Sequence, residues 1–274
     1  MPELPEVETV VAGLRSEAVG RRIVDVDILF PTHFRPSPEV LADGLRGRRL
    51  VAARRWGKIW FVDTDDDQTL VGHLRMTGQI RVQPADEPRL PHTHLVATLD
   101  DGRELRWRDV RRFGWMHLLP SDDVAGLPEL ANLGPDALAI DQATFAAGLR
   151  GSARGLKALL LGQELLAGLG NIYVDEALHR ARLHPTLPAN RLSAARAERL
   201  YVAVREVLLA AVAARGSSVD GQYVAVDGER GSYQAAHQVY GRAGQPCAAC
   251  GTPIVRIVAA GRGTHFCPSC QRRR

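Results

Sequence analysis

Lysine is nearly missing from this 274-residue chain: among 35 basic residues only Lys58 and Lys157 are lysines. A composition that has almost dispensed with one cation makes each survivor a candidate for a specific role. Long apolar runs are missing too. No stretch approaches the ~20 residues that a helix needs to cross a bilayer, and no basic segment followed by an apolar core opens the sequence. A membrane role is excluded on this reading, and a cytoplasmic protein is expected. Cysteine is scarce, with four residues, which excludes a disulfide-built scaffold; in a reducing compartment all four are better suited to metal than to each other. Acidic residues are absent from Gly231 to Arg274, where Arg242, Arg256, Arg262, Arg272, Arg273 and Arg274 fall. The C-terminal end is therefore a basic module. With a net charge of +4 and a pI near 9.1, the chain leans towards a polyanionic partner.

What is present suits two domains, each large enough to bury its own core. Val7, Val10, Val11, Leu14 and Ala18 recur at helical spacing and predict an amphipathic helix over 5–18, closed by Gly20. The period then changes. Alternating segments at 23–28, 50–53, 58–62, 70–74, 95–99, 104–107 and 113–119, with Asp100-Asp101-Gly102 as the clearest hairpin turn, predict an N-terminal β-sandwich or barrel. A loop rich in Asp, Gly and Pro at 121–135 marks a linker between a first domain at 1–120 and a second from 136. Helical patterns follow at 141–149, 155–165, 171–182 and 193–215, the last introduced by Ser193. Residues 216–237 keep no sustained period and are expected to form a long functional loop.

Four local patterns carry chemistry. The chain opens Met1-Pro2-Glu3-Leu4-Pro5-Glu6. Removal of Met1 turns Pro2 into a secondary amine; an α-amino group titrates near ~8, so roughly a tenth is free base at neutral pH, and burial raises that share. Glu3 lies beside it. The competing reading is that Glu3, Glu6 and Glu8 simply favour the positive end of the helix dipole. At the other end, Cys247-Ala-Ala-Cys250 and Cys267-Pro-Ser-Cys270 have the spacing of a four-thiolate zinc site, structural because it leaves no open position. Apolar residues between the pairs, followed by Gly261-Arg262-Gly263-Thr264, predict a zinc hairpin tipped by Arg262, a group suited to phosphate. Gly168 and Gly170 precede Asn171 at a helix start, where backbone N–H groups form an anion site, although an ordinary cap explains the same residues. Met76 and Phe113 each suit a core position; with Arg111 they also suit a wedge that kinks a duplex and fills a gap.

Together these pieces resemble the bacterial formamidopyrimidine-DNA glycosylase family: Pro2-Glu3-Leu4-Pro5-Glu6-Val7-Glu8, Gly57-Lys58, His73-Leu74-Arg75-Met76-Thr77-Gly78, Arg111-Arg112-Phe113-Gly114, Gly170-Asn171-Ile172-Tyr173 and Val239-Tyr240-Gly241-Arg242 leading into the finger. The resemblance runs over nearly the whole chain. It implies an α+β protein with an N-terminal β-sandwich behind a leading helix and a helix-two-turn-helix domain at 136–237, whose 216–237 loop closes over the flipped base. A four-cysteine zinc-finger hairpin at 238–274, holding one structural Zn2+, completes it. The implied activity is excision of oxidised purines from double-stranded DNA by a monomeric glycosylase and abasic-site lyase. Pro2 then resembles the nucleophile, Glu3 the general acid and base, Lys58 the group acting in β-elimination, and Arg262 the finger arginine of δ-elimination. His92, Arg111, Arg154, Lys157 and Asn171 resemble DNA contacts; Met76, Arg111 and Phe113 resemble the wedge. Arg75 stands where the family more often has glycine, and Val110 where proline is common. Two alternatives stay open. One is the sister branch acting on oxidised pyrimidines, against which Leu4 argues. The other is a zinc-finger protein that binds damage without cutting, which requires Pro2, Glu3 and Lys58 all to be idle.

Overall fold

A computed structural model describes every residue except Thr32, Asp220, Gln222 and Arg274. The chain divides into two compact units, Met1–Ala131 with Ala214–Ser232, and Asn132–Ala213 with Tyr233–Arg274.

The first unit opens with α1 (Leu4–Glu17), whose Val7, Val10, Val11 and Leu14 are buried as their spacing requires. Nine strands follow: β1 (Ile23–Ile28), β2 (Phe34–Arg35), β3 (Leu50–Trp56), β4 (Ile59–Thr64), β5 (Gln68–His73), β6 (Gly78–Pro84), β7 (Thr93–Leu99), β8 (Arg103–Asp109) and β9 (Trp115–Pro120). They form a five-stranded sheet in the order β2-β9-β5-β4-β3 and a four-stranded sheet in the order β1-β7-β8-β6. Residues from both sheets share one apolar cluster. Trp60 of β4 and Trp107 of β8 meet there with ring centroids 6.2 Å apart. The expected sandwich is present.

Besides the two-residue β2, two elements among the described residues were not expected. Ser37 accepts the N–H of Val40 and Pro38 sits in the first turn, so Pro38–Leu45 forms a short helix, α2. In β6, Ile80 and Val82 alternate with Gln79, Arg81 and Gln83, but the segment follows so closely on the Met76 loop that its period is hard to separate from it. A third difference concerns residues 216–237, grouped by sequence with the helices. Ala214–Ser232 belongs by its contacts to the first unit. Tyr223 and Val226 are core residues of the sandwich, and Val226 carbonyl accepts the N–H of Val82 at 3.1 Å. Val226 lies directly over Gly13 of α1, where any larger side chain would collide with it.

The second unit contains α3 (Gln142–Arg150), α4 (Leu156–Leu161), α5 (Asn171–Arg180) and α6 (Ala194–Ala213), then the hairpin of β10 (Val255–Ala259) and β11 (Arg262–Phe266). Ala259 pairs with Arg262, leaving Ala260 and Gly261 as a two-residue turn, both at positive φ. That is the turn geometry whose twist matches an antiparallel pair.

Candidate functional site

In the first unit Pro2 is buried and Glu3, 2 % exposed, is the N-cap of α1. Glu6 is buried to the same degree, and both of its oxygens are committed. Oε2 accepts the N–H of Glu3 at 2.7 Å and Oε1 accepts the N–H of Ser217 at 2.7 Å. The Tyr223 hydroxyl donates to Glu6 carbonyl at 3.3 Å. Burial, then the Glu6 charge, push the Tyr223 phenol well above its ordinary value, so it remains a donor. Glu8 instead pairs with Arg55 at 2.6 Å and Arg15 at 3.0 Å. The simple helix-dipole account therefore suits Glu8, while Glu6 ties the helix start to a segment 211 positions away in sequence.

Lys58 sits in the two-residue turn between β3 and β4, where Trp56 pairs with Ile59 and Gly57 has φ +60. It is 9 % exposed. His73 pairs with Ile59 across the sheet, and its Nδ1 accepts the N–H of Arg75 at 2.8 Å, which places the ring proton on Nε2. Burial first, then the charges of Arg75 and Lys58, hold this imidazole down at about 3. It is a neutral group at physiological pH. Arg75 itself has φ +52, a left-handed conformation that explains why glycine suits this position.

The loops that carry Met76 and Phe113 are joined by Asp109, 1 % exposed. Thr77 hydroxyl donates to Oδ1 and Gly114 N–H to Oδ2 at 2.7 Å, while Arg111 N–H donates to Thr77 hydroxyl at 2.9 Å. Above this buried knot Phe113 is 51 % exposed, with the Arg111 guanidinium 4.8 Å from its ring centroid. Exposure settles the choice posed by sequence for Phe113, which is not a core residue. Met76 is partly exposed. His92, exposed and at φ +67, gives its carbonyl to the N–H of Asp109 at 3.0 Å. Sequence reasoning missed Asp109 and Thr77; a lone Asp before Val110-Arg111 carries no sign of what it holds.

In the second unit Asn171 opens α5, and its Nδ2 donates to Gly263 carbonyl at 3.0 Å. Arg262 is exposed at the head of β11. Arg154 is exposed and pairs with Glu164 at 2.6 Å. Lys157 corrects the expectation of a DNA contact. It is fully buried, with Nζ 2.6 Å from Asp175 Oδ1 and 3.3 Å from Gly263 carbonyl, so it presents no charge to a phosphate. Glu176, also missed, accepts the N–H groups of Gln238, Val239 and Tyr240 at 2.8, 3.0 and 2.8 Å. It fixes the approach to the finger, although burial pushes its carboxyl up.

The sulfur atoms of Cys247, Cys250, Cys267 and Cys270 all lie within 4.8 Å of one another. Four thiolates at Zn–S ~2.3 Å place tetrahedral neighbours ~3.8 Å apart, so this donor set fits one structural zinc. Cys247 Sγ lies 3.5 Å from Nε2 of His179 on α5, a neighbour able to orient the ligand.

The N-terminal domain model of formamidopyrimidine-DNA glycosylase matches residues 1–116, its H2TH domain model residues 133–222, and a zinc finger found in FPG and IleRS residues 244–273. The chain belongs to the formamidopyrimidine-DNA glycosylase family. It is 46% identical to the formamidopyrimidine-DNA glycosylase of Geobacillus kaustophilus, over 99% of this chain and all of that one. With the Thermus thermophilus enzyme the identity is 47%, covering 99% of this chain and 98% of the relative. Among solved structures, a Lactococcus lactis FPG mutant bound to Fapy-dG-containing DNA superposes with a TM-score of 0.92 at 38% identity, covering 99% of this chain and all of that one. The family has a β-rich N-terminal domain, a helical domain and a four-cysteine finger, as here.

Proposed function

We propose that this chain excises oxidised purines, formamidopyrimidines and 8-oxoguanine, from duplex DNA and then nicks the strand at the abasic site. The observation that carries the reading is the seating of Pro2 and Glu3 at the buried start of α1, in a chain that also displays an exposed Phe113–Arg111 wedge. Relatives that bear the glycosylase name over their full length, and solved relatives holding Fapy-dG or carbocyclic 8-oxo-G DNA, support it.

A base inside a duplex shields its own sugar carbon, so the nucleotide must leave the stack, at a cost of a few kcal/mol. Met76, Arg111 and Phe113 offset that cost by filling the gap, and His92, Arg154 and Asn171 hold the backbone. With Met1 removed, the Pro2 nitrogen attacks C1′, the glycosidic bond breaks and the base leaves with the electron pair. The Pro2 nitrogen loses its proton, and the C1′–O4′ bond opens as Glu3 protonates O4′, general acid and base work that typically contributes ~10²- to 10⁴-fold. The resulting iminium draws electrons from the sugar and acidifies C2′. Loss of that proton, in which Lys58 takes part, expels the 3′ phosphate by breaking C3′–O. Loss of a further proton breaks C5′–O and expels the 5′ phosphate; water then hydrolyses the iminium and restores the amine. Arg262 keeps its proton and serves δ-elimination by holding the departing phosphate with a charge-assisted fork.

In this reading residues 1–120 with the 214–232 segment carry base excision, the helices of 136–213 and the finger at 238–274 carry phosphate contacts, Arg262 of the finger also serving δ-elimination, and the monomer works on DNA in the bacterial cytoplasm. Among the described residues no helix is long and apolar enough to cross a membrane. Borohydride trapping tests the proposal. An 8-oxoguanine duplex should yield a covalent adduct with the mature chain and none when Met1 is retained. Binding without an adduct in the mature chain would favour the non-catalytic reading, and an adduct formed only with oxidised pyrimidines would favour the sister branch.

A further inference from the structure

The second unit contains a buried ion pair that the mechanism does not use. Lys157 on α4 is 0 % exposed and Asp175 on α5 is 1 % exposed, with Nζ and Oδ1 2.6 Å apart. Two charges taken out of water are costly, and their mutual attraction alone does not ordinarily make such a pair favourable. Both partners also reach one short stretch of the finger. Asp175 Oδ2 accepts the backbone N–H of His265 at 2.8 Å, and Lys157 Nζ donates to Gly263 carbonyl at 3.3 Å, a carbonyl also held by Asn171 at 3.0 Å. Inside that bracket the buried Thr264 hydroxyl donates to Arg262 carbonyl at 3.0 Å. The peptide groups on the C-terminal side of Arg262 are thus fixed one after another. On its other side the Ala260-Gly261 turn closes the hairpin register, in which Ala259 pairs with Arg262. A side chain at Gly263 would push the exposed Arg256 guanidinium, which crosses it, aside.

We propose that Lys157 and Asp175 are positioning residues for Arg262: together they aim the finger tip, and so set how efficiently δ-elimination follows β-elimination. The inference rests on the assignment of Arg262 to δ-elimination given above. Neither side chain touches DNA in it. Their effect passes through the Gly263 carbonyl and the His265 N–H, one from each partner. A fixed backbone on one side of the arginine restricts where its guanidinium can meet the departing phosphate, which is how a supporting shell preserves the geometry of a reacting group.

The test uses the full zinc-loaded chain and a duplex carrying a preformed abasic site, with β- and δ-products separated after a single turnover. Lys157→Met alone leaves Asp175 buried and unpaired and risks unfolding, so the informative protein is Lys157→Met with Asp175→Asn. The amide still accepts the His265 N–H while the lysine clamp is gone. The expected result is one zinc per chain, a β-elimination rate within about twofold of the parent, and a δ-rate down about tenfold. Arg262→Ala should show the same pattern more strongly. If the double variant keeps its δ-to-β ratio while Arg262→Ala loses it, the positioning role is overturned. Loss of zinc, or equal loss of both steps, overturns it in favour of a purely structural pair. An unchanged ratio in Arg262→Ala would sink the assignment of Arg262, and this inference with it.

Discussion

Asp109 Oδ1 accepts the hydroxyl of Thr77 while its Oδ2 accepts the N–H of Gly114 at 2.7 Å, so one buried carboxylate joins the loop that carries Met76 to the loop that carries Phe113. The surface proposed as a duplex wedge is thus one hydrogen-bonded unit rather than two loops that happen to be neighbours. Its rigidity matters because a wedge that yields cannot hold an unstacked duplex apart.

Asp109→Asn should weaken this object selectively. An amide offers one acceptor where two are needed, and a hydrogen bond to a charged group contributes ~1.5–3 kcal/mol. Excision of 8-oxoguanine from duplex DNA is expected to slow at least about tenfold, while nicking of an abasic site in single-stranded DNA, where nothing need be wedged, should stay within about twofold. Single-turnover rates on the two substrates check this; equal slowing on both would refute the wedge account.

Phe113→Ala should leave folding nearly untouched, within about 0.5 kcal/mol, because the ring is half exposed. Its cost should fall on duplex excision instead. Thermal unfolding and excision rate, measured on the same preparation, are expected to part company.

Arg75→Gly should remove left-handed strain worth about 1–2 kcal/mol, partly offset by glycine's larger unfolded freedom of about 0.5–1 kcal/mol. The net stabilisation expected from urea unfolding is then between zero and about 1.5 kcal/mol. The same change removes one cation from beside His73, so its imidazole should titrate higher than about 3. The sign for stability follows from linkage: the folded value lies below the unfolded ~6.5, so the unfolded state takes up the proton first. His73 therefore costs stability as pH falls from about 6.5 towards 3. The titration is read from imidazole NMR shifts, and the parent ring should stay neutral down to about pH 5.

Zinc removal should disorder the finger without abolishing the sandwich. A chelated sample is expected to lose DNA affinity and to show a shallower dependence of log K on log salt, since fewer phosphates are contacted. Salt titrations with and without chelator, using fluorescence anisotropy, decide it. Unchanged affinity would exclude the finger from the interface.

Glu6→Gln should destabilise the first unit, because the amide cannot accept from both Glu3 and Ser217. An unsatisfied buried N–H costs about 1–3 kcal/mol, which for a chain of this size lowers the melting temperature by several degrees. A calorimetric scan without that drop would mean that the Ser217 contact is dispensable.

Much of this was legible in the sequence because it rests on local signals. The apolar spacing of α1, the short apolar runs of β4 and β7 and the two CxxC knuckles each state their structure within a few residues. What was not legible depends on distant partners. Lys157 reads as an available cation until Asp175, on the next helix, is seen to hold it. Residues 223 to 226 read as open loop because Tyr223 and Val226 have no neighbours at a regular period; their neighbours are α1 and β6. The strand β6 and the helix α2 were visible in principle, through the alternation around Ile80 and the Ser37-Pro38 start. Glu6 looked like one acid among three until its burial and its contacts to Glu3 and Ser217 separated it from Glu8.

The placement of Val226 over Gly13 bears on how the molecule is made. During synthesis the Gly13 face of α1 cannot be covered until the chain has grown past Val226, so the nascent sandwich waits with Gly13 bare and the Glu6 Oε1 without its Ser217 partner. A fragment ending at Ala131 would keep that gap permanently, and should be recovered aggregated rather than folded. Joining residues 214–232 to such a fragment through a short Gly/Ser linker should close the gap and give a soluble sandwich, completed by a segment that the natural gene supplies late.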